Sequence, residues 1–202
     1  MSLSTVSELR AAIADYLIDD MPDQINQFIA LAESRHRREI RMREMFTRAS
    51  LTVNARNVSL PSGFLEAINL RLLTDPVTRL EEVSLPEMTA IRQEVNGRPA
   101  YFSIASDIEF DVVPDASYSG EITYYEALTA LSDGNPSNVL LTTYPDAYLY
   151  AALAASAPYQ MADERLAVWE ALYRDARDTI NRQASASRRV GPLVSRVSGR
   201  TP

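Results

Sequence analysis

The chain has 202 residues, contains no cysteine and carries a formal net charge of −7 at pH 7. A chain of this length can bury one sizeable core, and the lack of cysteine excludes disulfides and thiolate chemistry. No apolar run is long enough for a membrane span, and residues 1–20 lack the charged start and apolar centre of a signal peptide. We therefore expect one soluble, unsecreted domain that folds in a reducing cytoplasm.

The charges are unevenly distributed along the chain. All 20 basic residues are arginine, and none lies between Arg98 and Arg165, where acids are frequent from Asp107 to Asp146. Arginines collect instead in residues 35–48 and 188–200. An acidic body with a basic tail can pair with copies of itself or with an acidic partner, and the alternative is solvated surface with local ion pairs.

The N-terminal residues predict two helices. Ser4 or Thr5 can cap the first helix. The second begins near Pro22 and continues to about Phe46, with an arginine-rich C-terminal half that complements the negative end of the helix dipole. That half either projects into solvent or contacts a neighbouring subunit. In the second case the interface residues are Arg35, Arg38 and Arg41.

From residue 49 to 127 apolar side chains recur at every second position, which predicts β-strands. Arg56-Asn57 can form the turn of a hairpin within residues 51–60. Residues 101–113 alternate almost without interruption, and Tyr118, Ile122 and Tyr124 continue the pattern. We expect a small antiparallel sheet or sandwich.

Two local signals interrupt the predicted strands. Ser84 and Glu87 have the spacing of a capping box, which predicts a short helix to about Glu94. The Asn96-Gly97 pair that follows is typical of a turn.

The stretch from Asn135 to Tyr173 predicts a tightly packed helical hairpin. Its many alanines allow helices to approach closely. Pro145 suits the first turn of a helix, and Pro158 ends that helix or kinks it near its close. The second helix is predicted to run to about Ser185, because apolar residues recur there at steps of three and four: Leu166, Trp169, Tyr173, Ala176 and Ile180.

The predicted fold class is α+β. N- and C-terminal helices form a helical bundle, into which a small antiparallel β-sheet or sandwich is inserted, and an extended C-terminal arm follows. The bounds are 1–183 for a single domain, with helices within 5–47 and 137–183 and the β insertion at 49–127, and 184–202 for the arm. The arm is rich in Ser, Arg, Gly and Pro and cannot bury enough surface to fold alone. It is either a disordered terminus or a segment that orders on a partner.

The residues contain little that favours catalysis. His36 is the single histidine and has no cysteine to join it in a metal site. Neither a nucleophile motif, a P-loop nor a dinucleotide glycine pattern occurs. Asp107, Glu109 and Asp111 share one strand face and could bind a divalent cation or act as a catalytic pair, but a solvated strand face is the favoured interpretation. We expect no enzyme, no metal and no cofactor.

Several motifs resemble one known family. They are FIALAESRHRREIRMREM, LPSGFLEAINLRLL, LEEVSLPEM, PDASYSGEITYYEALTALSD and PSNVLLTTYPDAYLYAALAASAPY followed by DERLAVWEALY. In this order they resemble the head-to-tail adaptors of tailed bacteriophages, also called connector or tail-tubular-A-like proteins. The resemblance covers the chain up to about Asn181, and the motifs are structural rather than catalytic.

The resemblance implies a structural virion protein at the neck of the particle, assembled in the host cytoplasm. It implies a ring, dodecameric as in the family, that binds the portal protein above and a tail or nozzle protein below, without a membrane. Genomic DNA would pass through the ring without specific binding. Family members grip the portal with a C-terminal extension, so the portal-binding residues implied here are Arg188, Arg189, Leu193, Val194, Arg196 and Val197.

A second function from a different class stays open at this point. The arginines of the second helix, Arg35 to Arg48, and those of the basic tail could contact phosphates, which would make the chain a nucleic-acid-binding DNA-packaging factor. Its sign would be DNA affinity that falls steeply with salt. An enzyme with a carboxylate site is a more distant alternative.

Overall fold

The computed structural model describes residues 3–17, 22–159 and 165–188 as an α+β fold. Its helices are α1 (Val6–Tyr16), α2 (Pro22–Glu39), α3 (Leu85–Ile91), α4 (Val139–Thr143), α5 (Pro145–Ser156) and α6 (Leu166–Arg188). Its strands are β1 (Phe46–Val53), β2 (Asn57–Ser59), β3 (Phe64–Leu72), β4 (Thr78–Glu82), β5 (Asn96–Gly97), β6 (Tyr101–Ile104), β7 (Asp107–Phe110), β8 (Val113–Pro114) and β9 (Tyr118–Glu126).

Helix α5 lies at the centre of the helical layer. Its Ala147, Ala151 and Ala152 are at most 1% exposed, and their small side chains let α1, α2 and α6 pack directly on α5. Trp169 and Tyr173 of α6 supply bulk to the same core. The predicted close packing of α5 and α6 is therefore confirmed.

Local signals set where these helices begin. Thr5 caps α1 in a capping box, because its side chain accepts a hydrogen bond from the Glu8 amide while Glu8 accepts from the Thr5 amide. Pro145 occupies the first turn of α5. Helix α5 ends at Ser156, two residues before Pro158. These predictions are confirmed.

The predicted extension of the second helix to Phe46 is wrong, because α2 ends at Glu39. The side chain of Asn181 on α6 accepts a hydrogen bond from the Arg41 amide at 2.9 Å and donates one to the Glu39 carbonyl at 2.8 Å. These bonds satisfy backbone groups at the end of α2. Ile40 and Met42 are then buried in the helical core, and Phe46 already belongs to β1.

The larger sheet has seven strands in the order β1-β9-β3-β4-β6-β7-β2. Its neighbours are antiparallel except for the parallel pair β4 and β6. The mostly antiparallel sheet is confirmed, but the predicted hairpin within residues 51–60 is wrong. β1 pairs with β9 and β2 pairs with β7, at opposite ends of the strand order.

Two smaller predictions within the β region also need correction. Ser84 caps α3 as predicted, but α3 ends at Ile91 rather than near Glu94. Asn96-Gly97 is not a hairpin turn: it forms β5, which pairs in parallel with β8 in a separate two-stranded sheet.

A second hydrophobic core lies within the sheet. Its fully buried members include Leu70, Leu72, Phe110 and Ile122. The alternation of residues 101–113 gives Phe102, Ile108 and Phe110 to this core as predicted.

The segment between β9 and α4 is tied to the helical layer by polar contacts. Glu33 of α2 accepts a hydrogen bond from the Leu131 amide at 2.7 Å, and Arg10 of α1 pairs with Asp133 at 2.7 Å. Because residues 127–138 are fixed to helices while β9 is fixed in the sheet, the two layers are held together along this segment.

Candidate interaction surfaces

The first of the predicted interface arginines, Arg35, is occupied by contacts within the chain. Its two terminal nitrogens donate to the two carboxylate oxygens of Glu170 at 2.6 and 2.9 Å. Its Nε donates to Glu39 at 3.1 Å, and its guanidinium lies 4.0 Å from the centre of the Tyr173 ring. A bidentate pair of this kind fixes direction as well as distance, so Arg35 joins α2 to α6.

Further ion pairs extend this contact along both helices. Arg177 donates to Glu39 at 3.1 Å, and Arg174 lies 3.6 Å from Glu170. Arg35 pairs with Glu170, and four residues later Glu39 pairs with Arg177. Residue numbers therefore increase in the same direction along both helices, so α2 and α6 run parallel, and each packs on α5. We call Arg35, Glu39, Glu170, Arg174 and Arg177 the charged seam.

The seam shifts the protonation of its own members. The hydrogen bond from Arg35 is the main reason that the pKa of Glu170 is lowered. Burial raises the pKa of Glu39, but the pairs with Arg177 and Arg35 outweigh that effect and leave it lowered. The same pairing raises the pKa of Arg35. All three groups are therefore charged at neutral pH.

His36 lies beneath the seam and is 3% exposed. Its Nε2 lies 3.3 Å from the Ala147 carbonyl, and its ring contacts Tyr148 edge-on at 4.6 Å and Tyr173 in a stacked arrangement at 5.9 Å. Burial lowers the pKa of His36 to about 4. The imidazole is therefore neutral at pH 7, with Nε2–H donating to Ala147, and it serves as a packing residue.

The other two predicted interface arginines differ from each other. Arg41 pairs with Glu66 of β3 at 3.1 Å and so connects the end of α2 to the sheet. Arg38 is exposed, and its side chain has no ion pair or hydrogen-bond partner among the described residues. Arg35 and Arg41 thus organise the subunit itself, whereas Arg38 points to solvent. The assignment of all three to a subunit interface stays a prediction.

The same pairing bears on the nucleic-acid alternative. Phosphate binding needs arginines whose charge is not already neutralised. Of the arginines that would carry it, Arg35 and Arg41 pair with carboxylates, and Arg37 and Arg38 remain exposed. The structure gives this alternative no specific support.

The acidic region is partly neutralised within the chain. Glu109 pairs with Arg92 at 3.1 Å and Glu121 with Arg71 at 2.6 Å. Asp146, in the first turn of α5, is exposed and forms no ion pair with the described residues. Acids such as Asp146, which have no ion pair among the described residues, therefore contribute more to the negative potential of the acidic region than Glu109 and Glu121 do.

The three carboxylates considered as a cation site are used differently from one another. Asp111 is 7% exposed and accepts hydrogen bonds from the amides of Ala100 and Tyr101 at 3.1 and 3.2 Å. Asp107 accepts from Asn57, and Glu109 pairs with Arg92. Across residues 3–17, 22–159 and 165–188, no group of three or more His, Cys, Asp and Glu side chains is arranged to hold a metal ion.

Exposed apolar side chains form a feature that sequence reasoning missed. Leu31 on α2 is 56% exposed and Val168 on α6 is 57% exposed, and Leu172 lies one turn after Val168. Val168 and Leu172 lie outside the apolar stripe of α6 that packs on α5. Their position outside that stripe is the sequence signal that could have predicted their exposure. A second set, including Val77 and Val95, lies on the β part. Single exposed apolar side chains are common on protein surfaces and do not by themselves mark a contact surface.

The predicted portal-binding residues lie at or beyond the end of the described structure. Arg188 is the last residue of α6. Arg189, Leu193, Val194, Arg196 and Val197 lie outside the described residues.

The family model described as SU10 adaptor protein matches residues 4–196, which identifies the class as a structural phage adaptor. The chain belongs to the SU10 adaptor protein family, a family of phage head-to-tail adaptors. Among curated proteins, none matches the chain.

Membership in this family confirms the resemblance seen in the motifs. An adaptor of this family associates with phage portal and tail components, at the neck of the virion. Of the helices that the structure describes, none has the length and apolar character needed to cross a membrane.

Proposed function

We propose that the chain forms a dodecameric ring under the capsid portal and provides the platform on which the tail or nozzle assembles. The family match over residues 4–196 is the observation that carries the proposal. Function lies in binding: many moderate contacts around a closed ring add to an assembly that does not come apart.

In this proposal the helices act as one bundle and form the wall between neighbouring subunits. The charged seam holds α2 and α6 on α5, so that Arg38 and the exposed Leu31 and Val168 are presented on a rigid surface. Arg35 and Arg41 support that surface from within, and Arg38 makes the direct contact. Rigid presentation lowers the entropic cost of association.

The C-terminal arm, residues 184–202, is proposed to bind the portal. Its residues Arg188, Arg189 and Arg196 would pair with acids of the portal, while Leu193, Val194 and Val197 would fill apolar pockets. Helix α6 continues to Arg188, and Ala184 is 5% exposed. The first residues of the arm therefore extend α6, and the proposed portal contacts begin at Arg188, the last residue of that helix.

Part of the acidic region from Asp107 to Asp146 is proposed to face the channel through which genomic DNA passes. No basic residue occurs from Pro99 to Glu164, and Asp146 is exposed without an ion pair among the described residues. A negative wall repels phosphate and keeps the duplex from adhering. A ring structure with these side chains on its outer wall would discard this part of the proposal.

The proposal is tested by pull-down of the cognate portal with the full chain and with a truncation after Arg188. This truncation keeps α6 complete and leaves the side chain of Ala184 in place. We expect the full chain to bind and the truncation to lose most of the binding while retaining its helical circular dichroism. Failure of both chains to bind the portal, together with DNA affinity that falls steeply with salt and is lost on changing Arg37 and Arg38, would instead favour the DNA-packaging factor.

A further inference from the structure

The two outermost strands of the larger sheet differ in length. Strand β1 has eight residues and β2 has three. In the part of the chain that the structure describes, residues 47–53 of β1 form no backbone hydrogen bonds other than those to β9. Every second residue of an edge strand directs its amide and its carbonyl away from the neighbouring strand. The outer side of β1 is therefore a row of backbone donors and acceptors that are available to another strand.

Strand β1 lacks the features that usually prevent an edge strand from pairing. Natural proteins protect their sheet edges with proline, lysine, a bulge or a very short strand. The sequence of β1, FTRASLTV, contains neither proline nor lysine, and its register with β9 has no shift. Arg48 is the single charged residue of β1. A regular, weakly charged edge of this length favours pairing with an extended strand of another chain.

The side chains of β1 indicate which kind of strand fits beside it. Ala49 and Leu51 are only partly buried against the core of the sheet, so both leave apolar surface at the rim of that core. Arg48, Ser50 and Thr52 are exposed on the opposite face. A matching strand therefore presents small or apolar residues on one face and polar residues on the other.

A second copy of β1 is a strand of this kind. When it lies antiparallel with its centre at Ser50, Ser50 faces Ser50 of the other copy. Arg48 then faces Thr52, so no like charges lie directly opposite each other. Ala49 faces Leu51, which extends the apolar core of each sheet across the contact. The shorter edge β2 offers fewer backbone groups for pairing.

We propose that two copies of the free chain pair through β1, with residues 48–52 antiparallel about a twofold axis at Ser50. The pairing adds about four to six backbone hydrogen bonds and joins the two larger sheets into one. It uses neither the charged seam nor the C-terminal arm. A twofold contact does not recur around a single cyclic ring, so the paired edges would separate if the chain entered the ring proposed above.

Sedimentation equilibrium of the full chain, without portal or DNA, measures this pairing. We expect wild type to form a dimer whose fraction rises with concentration. Ser50→Lys places two ammonium groups opposite each other and should weaken the dimer about tenfold. The matched control is Ser119→Lys, which adds the same charge to the same face of the sheet, but on β9, one strand away from the contact. This control should change the dimer affinity by less than about twofold.

A charge exchange at the twofold axis tests the register directly. Ser50→Glu should weaken the dimer by itself, because two carboxylates then face each other. An equal mixture of Ser50→Lys and Ser50→Glu should pair at least as strongly as wild type, because opposite charges then face each other.

Three results would overturn the proposal. The first is a wild-type chain that stays monomeric at the highest concentration that remains in solution. The second is an equal effect of Ser50→Lys and Ser119→Lys. The third is a mixture of the two Ser50 variants that pairs no better than either variant alone. Because no portal is present, each result is independent of the adaptor role.

Discussion

Replacing Arg35 with alanine should destabilise the isolated subunit by about 2 to 3 kcal/mol, and Arg38→Ala by less than about 0.5 kcal/mol. Both changes remove one arginine from α2. Arg35 has a side chain 21% exposed and holds Glu170 and Glu39 together, whereas Arg38 is exposed and has no ion pair among the described residues. The comparison therefore isolates the charged seam.

The magnitude follows from the individual contacts of Arg35. Hydrogen bonds to charged groups contribute about 1.5 to 3 kcal/mol each, and a guanidinium over an aromatic ring adds about 0.5 to 1 kcal/mol. The loss is smaller than their sum because Glu170 keeps Arg174, Glu39 keeps Arg177, and water reaches both carboxylates. Arg35→Lys should recover only part of it, since lysine cannot form the bidentate pair.

Urea unfolding of the isolated chain measures both losses, and its pH dependence gives a second check. The lowered pKa of Glu170 contributes stability that is present above its ordinary value of 4.5 and is lost as the pH falls through the folded-state value. The difference between wild type and Arg35→Ala should therefore narrow below about pH 4.5. Equal losses for Arg35→Ala and Arg38→Ala, or a difference that widens in acid, would refute the seam as a stabilising element.

Three further predictions concern the interior of the subunit. His36 has a folded-state pKa of about 4 against an ordinary value of 6.5, so the unfolded chain binds a proton at this residue more readily than the folded chain. The free energy of unfolding therefore decreases as the pH falls below 6.5. Between pH 7 and pH 5, urea unfolding should show that wild type loses about 2 kcal/mol more than His36→Phe. Gly63 has a φ of +68°, and an added Cβ would lie 3.2 Å from the Glu126 side chain. Gly63→Ala should therefore lower the free energy of unfolding, as measured by thermal unfolding, by about 1 kcal/mol or more. Gly134→Ala should not, because a Cβ there lies no closer than 3.9 Å to its nearest neighbour. Ala152 is 0% exposed in α5, so Ala152→Leu should cost about 1 to 3 kcal/mol by overpacking, against a near-neutral Ala171→Leu on the exposed face of α6. The first argument would be contradicted if the stability difference between wild type and His36→Phe did not change with pH. The second would be contradicted if Gly63→Ala and Gly134→Ala had equal effects, and the third if Ala152→Leu were as stable as wild type.

The elements that the sequence predicts well are those whose causes are local. Thr5 and Pro145 sit at the starts of their helices, and the alanines of α5 predict its burial without reference to the rest of the chain. Alternation likewise predicts β7, in which Ile108 and Phe110 are buried and the residues between them only partly buried. In β9 the alternation holds through Tyr124, but Tyr125 is also buried, on the opposite face, in the helical core.

The errors arise where a distant residue decides the outcome. The end of α2 depends on Asn181, which lies on α6 and contributes the hydrogen bonds that stop the helix. The hairpin prediction was wrong because β1 pairs with β9, which lies far along the chain. The turn signal at Arg56-Asn57 therefore did not determine the strand pairing.

The candidate surfaces show the same division between local and distant causes. The arginine cluster on α2 is visible in the sequence, but its pairing with Glu170 is not, because the two residues are 135 positions apart. Local pattern therefore identifies which residues carry charge, and the fold decides which of those charges remain available to a partner.

The most direct test of the adaptor role is native mass spectrometry of the full chain co-expressed with its cognate portal. We expect a single complex that contains a fixed number of adaptor chains. These chains form a dodecameric ring on the portal. A chain that remains separate from the portal, or that binds it without a fixed copy number, would contradict the account.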